Sequence, residues 1–175
     1  MNKMEIYFSS LNMMKSVPNL GSLWDNKNNL LFTRLNGEVD ITDVLNWEKS
    51  LLNTLETLLD NSIFKIYIDL LGFKAIDVDT HKRFREIIPL TLSRYGWRVG
   101  YLDLFDESKN LELSNNRGIR CVAAAHIHHD VSKINKYQFM FSTNSEGYFN
   151  GASEAFKWIF DLNINNNKTT HENRN

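Results

Sequence analysis

Two groups of side chains in this 175-residue chain could do chemistry. The first lies in Asp69-Leu70-Leu71-Gly72-Phe73-Lys74-Ala75-Ile76-Asp77-Val78-Asp79-Thr80, entered from the apolar run Ile66-Tyr67-Ile68. This stretch reads as a buried strand, a turn and a helix start. The first turn of a helix carries orphan N–H groups and a positive dipole end, so it can attract an anion or a partner. Asp69, Asp77 and Asp79 could serve as acid–base or Mg2+ carboxylates; the simpler reading has Asp77 and Asp79 shaping the turn in solvent and Asp69 closing the strand. The second group is His126-Ile127-His128-His129-Asp130. On a strand, His126 and His128 share a face about 7 Å apart and could reach one ion, while His129 points away. Two imidazoles do not make a metal site. His81, Asp103 or Asp106 would have to supply a third ligand; otherwise the histidines mark a strand end whose Asp130 caps the next helix. The chain has no nucleophile elbow, phosphate-binding glycine loop, His-Glu-x-x-His or Cys-His pair. No catalytic machinery and no cofactor are therefore expected.

The elements that must position these residues can be read from periodicity. Leu30–Leu35 predicts a strand ended by the turn Asn36-Gly37. From Thr42 to Asp60, Val44, Leu45, Trp47, Leu51, Leu52, Leu55, Leu58 and Leu59 recur at three- and four-residue steps, which predicts a helix capped by Asp40 or Thr42. Ile63–Asp69 is almost continuously apolar, as a strand buried on both faces of a mainly parallel sheet would be. A second helix is expected from Asp79 to Tyr95, stopped by Gly96 and kinked or broken at Pro89.

Arg98–Leu104 reads as a third strand, and Asp106–Arg117 as a loop or short helix. Ile119–Ile127 reads as a further strand, whose Ala123, Ala124 and Ala125 would admit a close helix. Asp130 then caps a helix through Val131, Ile134, Tyr137 and Phe141. Gly147-Tyr148-Phe149 leads to Ser153, an expected cap, and to the amphipathic run Ala155, Phe156, Ile159, Phe160. The alternation implies an α/β fold, a central mixed β-sheet with helices packed on it. Residues 1–29 are expected as an N-terminal extension, 30–162 as the domain, and 163–175 as a disordered asparagine-rich tail. Trp47 and Trp158 read as packing residues. Trp24, in the extension, could dock on the body, a second chain or a lipid, with a protein surface preferred.

Bulk composition narrows the function. At 42% hydrophobic and 23% charged the chain has the make-up of one globular domain,. A net charge of −1 with no basic stripe argues against nucleic acid,. Cys121 is the only cysteine, which fits a reducing cytoplasm and rules out an intrachain disulfide,. Neither a secretory signal nor a transmembrane segment is expected.

The order Leu35-Asn36-Gly37-Glu38-Val39-Asp40, a long helix, then Ile66 to Asp77 and a second helix resembles the STAS domain, named for sulfate transporters and anti-sigma-factor antagonists. That family's first strand ends in Leu-x-Gly-Glu-hydrophobic-Asp, and its second runs from Asp-Leu to Asp-Ser-Ser-Gly; here Asp69-Leu70 and Ile76-Asp77 match. His126 to Lys133, Tyr148-Phe149 and Ala155 to Trp158 are similar to its SpoIIAA-like, or STAS/SEC14-like, subgroup. The resemblance implies a SpoIIAA-like sandwich and a non-enzymatic, regulatory protein-binding role, like an anti-sigma-factor antagonist. It points to Asp40, Asp77, Val78, Asp79, Thr80 and His81 as the partner surface. The partner would be an anti-sigma-factor-like kinase or a second copy of the chain. An alternative implied by the SEC14-like likeness is a lipid or other apolar small molecule between sheet and helices. A metal at the His126/His128 cluster is a third reading. Where the antagonists carry a phosphorylated serine this chain has Val78, which has no hydroxyl, so the phosphate switch cannot act at that position. Thr80 is open to modification or to a capping role.

Overall fold

Four of the five α-helices among the described residues begin at an aspartate or asparagine that caps them, and the central strand, Ile63–Leu70, lies where apolar residues run almost without interruption. The computed structural model describes residues 2–105 and 110–163. In chain order the elements are α1 (Lys3–Ser16), β1 (Leu20–Asp25), β2 (Leu30–Leu35), β3 (Gly37–Val39), α2 (Ile41–Glu56), β4 (Ile63–Leu70), β5 (Phe73–Ala75), α3 (Val78–Ser93), β6 (Arg120–His128), α4 (Val131–Phe141), β7 (Glu146–Phe149) and α5 (Ala152–Asp161). A 3-10 turn occupies Gly100–Leu104.

The fold is α/β. Its main sheet has the order β1-β2-β4-β6-β7, antiparallel between β1 and β2 and parallel from β2 onward. A second, two-stranded parallel sheet pairs β3 with β5. Side chains alternate across β4 and β6. Ile66, Ile68 and Ala124 face α2 and α3, in a core with Trp47, Leu51, Ile87 and Leu92. Tyr67, Ala123, Ala125 and Ile127 face the opposite layer, where α1 and α5 contribute Met14, Phe156 and Ile159. Ala123 and Ala125 thus let α5 lie close to the sheet, as their small side chains imply.

Asp40 caps α2 in a reciprocal box: Asp43 N–H donates to Asp40 Oδ1 at 2.9 Å and Asp40 N–H to Asp43 Oδ2 at 3.1 Å. Asp77 caps α3 through the Thr80 N–H at 2.7 Å, and Asp130 caps α4 through the Lys133 N–H at 3.1 Å. Each cap satisfies a donor that the helix itself leaves unpaired. Gly37 has φ +102°, a conformation that favours glycine, at the point where β2 hands over to β3,.

Several expectations need correction. Residues 1–29 are not an appendage, because β1 is an edge strand of the main sheet and α1 covers its second face. Trp24 sits on β1 and packs against the α2 side of the core. Arg98–Leu104 is not a strand: β6 takes the place beside β4, and the Gly100 N–H is held by Glu146. Helix α3 runs through Pro89 unbroken. Buried Ile87, Ile88, Thr91 and Leu92 hold both sides of the proline, although its missing N–H leaves the Arg85 carbonyl without a helical donor. Ser153 is not the cap of α5, since Gly151 precedes its first residue. The expected loop Asp106–Arg117 is only partly described, and ends in a 3-10 turn at Asn116–Gly118. The expected disordered tail lies, from residue 164 on, outside the described residues.

Candidate functional site

The carboxyl ends of β4 and β6, helices α3 and α4, and the Gly100–Leu104 turn enclose a pocket of about 200 Å³. This is where open parallel sheets commonly receive ligands. Its floor comes from the face of β4, β6 and β7 that carries Ile68, His126 and Tyr148, closed on either side by Phe84 and Ile88 of α3 and Ile134 of α4. The half-exposed rim consists of Arg85, Tyr101, Phe105, His128, Lys133 and Tyr137.

Burial of His126 and Glu146, 6% and 3% exposed, demands that their polar atoms be paired,. His126 Nε2 lies 3.0 Å from Glu146 Oε1, and the Tyr148 hydroxyl donates to the same oxygen at 2.8 Å. The Gly100 N–H lies 3.1 Å from both carboxylate oxygens. His126 stacks on Tyr148 with ring centroids 4.8 Å apart, and Tyr101 stacks on Tyr137 at 5.6 Å. The result is a rigid aromatic box. Burial, followed by the Glu146 charge, pushes the Tyr101 and Tyr148 hydroxyls up, so both stay protonated donors,.

The rim is cationic. The Arg85 guanidinium carbon sits 4.7 Å from the Phe105 ring centroid, and Lys133 Nζ 5.6 Å from that of Tyr137,. Among the described residues neither cation has a carboxylate within ion-pair distance. Burial lowers Lys133, countered in part by the Asp130 charge and reinforced by Arg85. Burial and then Lys133 lower His81 and take His128 down to about 4, so both imidazoles are neutral near pH 7.

The histidines expected to share a face do so, and His81 joins them in the same pocket. One ring nitrogen of His126 and one of His128 are already engaged. His126 Nε2 is engaged by Glu146, and His128 Nδ1 accepts the Asp130 N–H at 3.0 Å. Among the described residues no three His, Cys, Asp or Glu side chains are grouped to hold an ion. Asp103 instead pairs with Arg98 at 2.7 Å, and Asp106 lies outside the described residues.

Asp40, Asp77, Val78 and Asp79 are brought together elsewhere. Pairing of β3 with β5, extended by the Ile76 N–H to Val39 carbonyl bond of 3.0 Å, sets the starts of α2 and α3 side by side. Ile41, Leu45, Ile76 and Val78 are exposed there, Ile76 at 54% and Val78 at 69%. The backbone N–H and then the hydroxyl of Thr80 hold the Asp77 carboxyl below the usual range. Thr80 is buried at 1% exposure, so its hydroxyl is closed to a modifying enzyme. Asp69 pairs with Arg34 at 2.9 Å and accepts the Leu71 N–H at 3.1 Å.

Sequence reasoning missed Arg85, Lys133, Tyr101, Tyr137, Glu146 and Tyr148 as site residues. Two spacings could have found some of them. Arg85 follows His81, and Tyr137 follows Lys133, by four residues, one helical turn on a common face,. Glu146 has one local partner, Tyr148, but the two that tie it to the pocket, His126 and Gly100, lie 20 and 46 residues away.

No protein-family model, no curated protein and no solved structure matches the chain. Fold and site together define an α/β protein with a small aromatic pocket at the carboxyl edge of its sheet. No helix among the described residues is long and apolar enough to cross a membrane.

Proposed function

We propose that the protein is a non-enzymatic binding module whose pocket between α3, α4 and the sheet takes one small, ring-sized molecule. The observation that carries this reading is the pocket itself, about 200 Å³ walled by Tyr101, Tyr137, Tyr148, Phe84 and Phe105. An apolar cavity of roughly 150 Å³ is enough for benzene. Drug-sized ligands use roughly 300–1,000 Å³. A ring with a small substituent fits that volume, whereas a lipid, as the SEC14-like likeness implies, would have to extend beyond it. Of the carboxylates the sequence offered for catalysis, Asp77 caps α3 and Asp69 is held in an ion pair, which supports a binding role. Amide NMR titration with benzyl alcohol and benzoate tests the reading. Saturable shifts at Ile68, Ile127 and Ile134 are expected, and they should vanish in Ile134→Trp, which fills the space. A flat response to both compounds at millimolar concentration would overturn it.

A second reading retains the STAS-like partner surface, with a regulatory role. The sheet order and the alternation of helices support the resemblance, and the exposed Ile41, Leu45, Ile76 and Val78 among Asp40, Asp77 and Asp79 form a patch that a protein could cover,. A second copy of the chain is the partner testable with the protein alone. Sedimentation equilibrium should then show a dimer that Val78→Asp dissociates. A monomer at every concentration would remove self-association. With Val78 exposed and Thr80 buried, no phosphorylation switch is part of this reading.

A further inference from the structure

We infer that the pocket's ligand is an organic acid, an aromatic or ring-sized carboxylate whose anionic group lies between Arg85 and Lys133. The inference rests on the pocket reading above and specifies its chemistry. Among the described residues that line the cavity are His81, Arg85, His126, His128 and Lys133, and no described lining residue is Asp or Glu. The nearby acids are committed elsewhere. Asp130 caps α4 and accepts the Ser132 hydroxyl at 2.8 Å, while Glu146 sits behind His126 with donors on both oxygens. Arg85 is close enough to disfavour the Lys133 charge, and among the described residues no carboxylate sits in ion-pair range of either cation. Two half-buried cations facing one apolar cavity leave a deficit of negative charge there, and a carboxylate fills it with charge-assisted hydrogen bonds. A guanidinium matches the planar, two-oxygen geometry of a carboxylate, and the contact of Arg85 with the Phe105 ring, 4.7 Å to its centroid, holds it at the pocket rim,. The stacked Tyr101 and Tyr137 rings present a flat aromatic wall to the body of the acid.

The test measures affinity of the full chain for benzoate, for the neutral benzyl alcohol and for phenyl phosphate by calorimetry or NMR titration, in wild type, Arg85→Gln and Lys133→Gln. Both substitutions fall on half-exposed positions, and thermal melts check that each variant remains folded. Benzoate is expected to bind at least tenfold more tightly than benzyl alcohol, and the ratio of the two affinities should shrink at least threefold in each variant. Equal binding of benzoate and benzyl alcohol would overturn the anion inference and leave the pocket reading standing. Tighter binding of phenyl phosphate would replace the carboxylate with a phosphate ester. Binding of none of the three would remove both.

Discussion

Lys65 offers a quantitative test of how the α5 layer is held. It is a charged residue only 3% exposed on the sheet face that α1 and α5 cover. Its Nζ donates to the carbonyls of Ile159 at 2.6 Å, Phe160 at 3.2 Å and Leu162 at 3.5 Å, closing the carboxyl end of α5. Burial, partly countered by Asp161 and Asp25, lowers its pKa from 10.5 to about 8. The folded value is the lower one, so the unfolded chain binds more protons between pH 8 and 10.5. Stability from this group is therefore missing below pH 8 and recovered as pH rises toward 10.5. At about 1.4 kcal/mol per unit the full difference is about 3 kcal/mol, of which about 1.3 kcal/mol is recovered between pH 7 and pH 9. Cys121 and the buried tyrosines act in the opposite sense at high pH, because burial raises them. They cancel when wild type is compared with Lys65→Met. Urea unfolding at pH 7, 8 and 9, followed by tryptophan fluorescence, should show the stability difference, wild type minus variant, rising by about 1.3 kcal/mol over that range. A difference that stays constant would show that the carbonyls compensate the buried charge completely and refute the reasoning.

Other consequences are cheaper to test. Removing the capping box with Asp40→Ala should cost about 1 kcal/mol in urea unfolding, since one orphan donor of α2 loses its acceptor. In Gly147→Ala the new Cβ would stand 2.6 Å from Phe149 Cε2 and 2.8 Å from its Cζ; a loss of roughly 1–3 kcal/mol is expected, and an unchanged melting temperature would contradict the packing described. Glu146→Ala strands His126, Tyr148 and the Gly100 N–H in a buried site, with an expected cost of roughly 3–5 kcal/mol in chemical denaturation,.

The parts of the fold that read directly from sequence are those whose residues make one kind of contact. β4 is apolar on both faces because both are covered, and α2 shows its single buried stripe of Val44, Trp47, Leu51 and Leu55. The α1 helix was illegible because only Ser10 and Met14 of its residues are buried; it lies on a layer already formed. β1 carries Gly21 and Ser22, poor strand formers, and is held as an edge by its pairing with β2 and by the Ser22 to Thr33 hydroxyl bond of 2.8 Å,. Arg98–Leu104 has the composition of a strand, but the partner it needs is occupied. The candidate site divides in the same way. The His126 and His128 face follows from strand period, whereas the acid that fixes His126 comes from β7, and the cations come from two separate helices. Such convergence is a property of topology, and no local window contains it.

Topology also joins the two proposed surfaces through one element. The first turn of α3 places Val78 in the exposed patch, and the same helix delivers His81, Phe84, Arg85 and Ile88 to the pocket. Val78 and Arg85 are seven residues apart, about 10 Å along the axis. A ligand changes partner affinity only if its contacts differ between two states of the shared element. Arg85 is the group on α3 that a bound acid would draw inward, and its own carbonyl is the one that Pro89 leaves without a helical hydrogen bond. The weakest link in the backbone ladder of α3 thus coincides with the residue on which the ligand would pull. Phe84 in the leading segment, Val78 to Arg85, is buried in the same core as Ile87 and Leu92 beyond the link, so a shift of that segment would work against packing on both sides of Pro89. Strands β4 and β6 are buried on both faces, which leaves α3 as the element that joins pocket and patch.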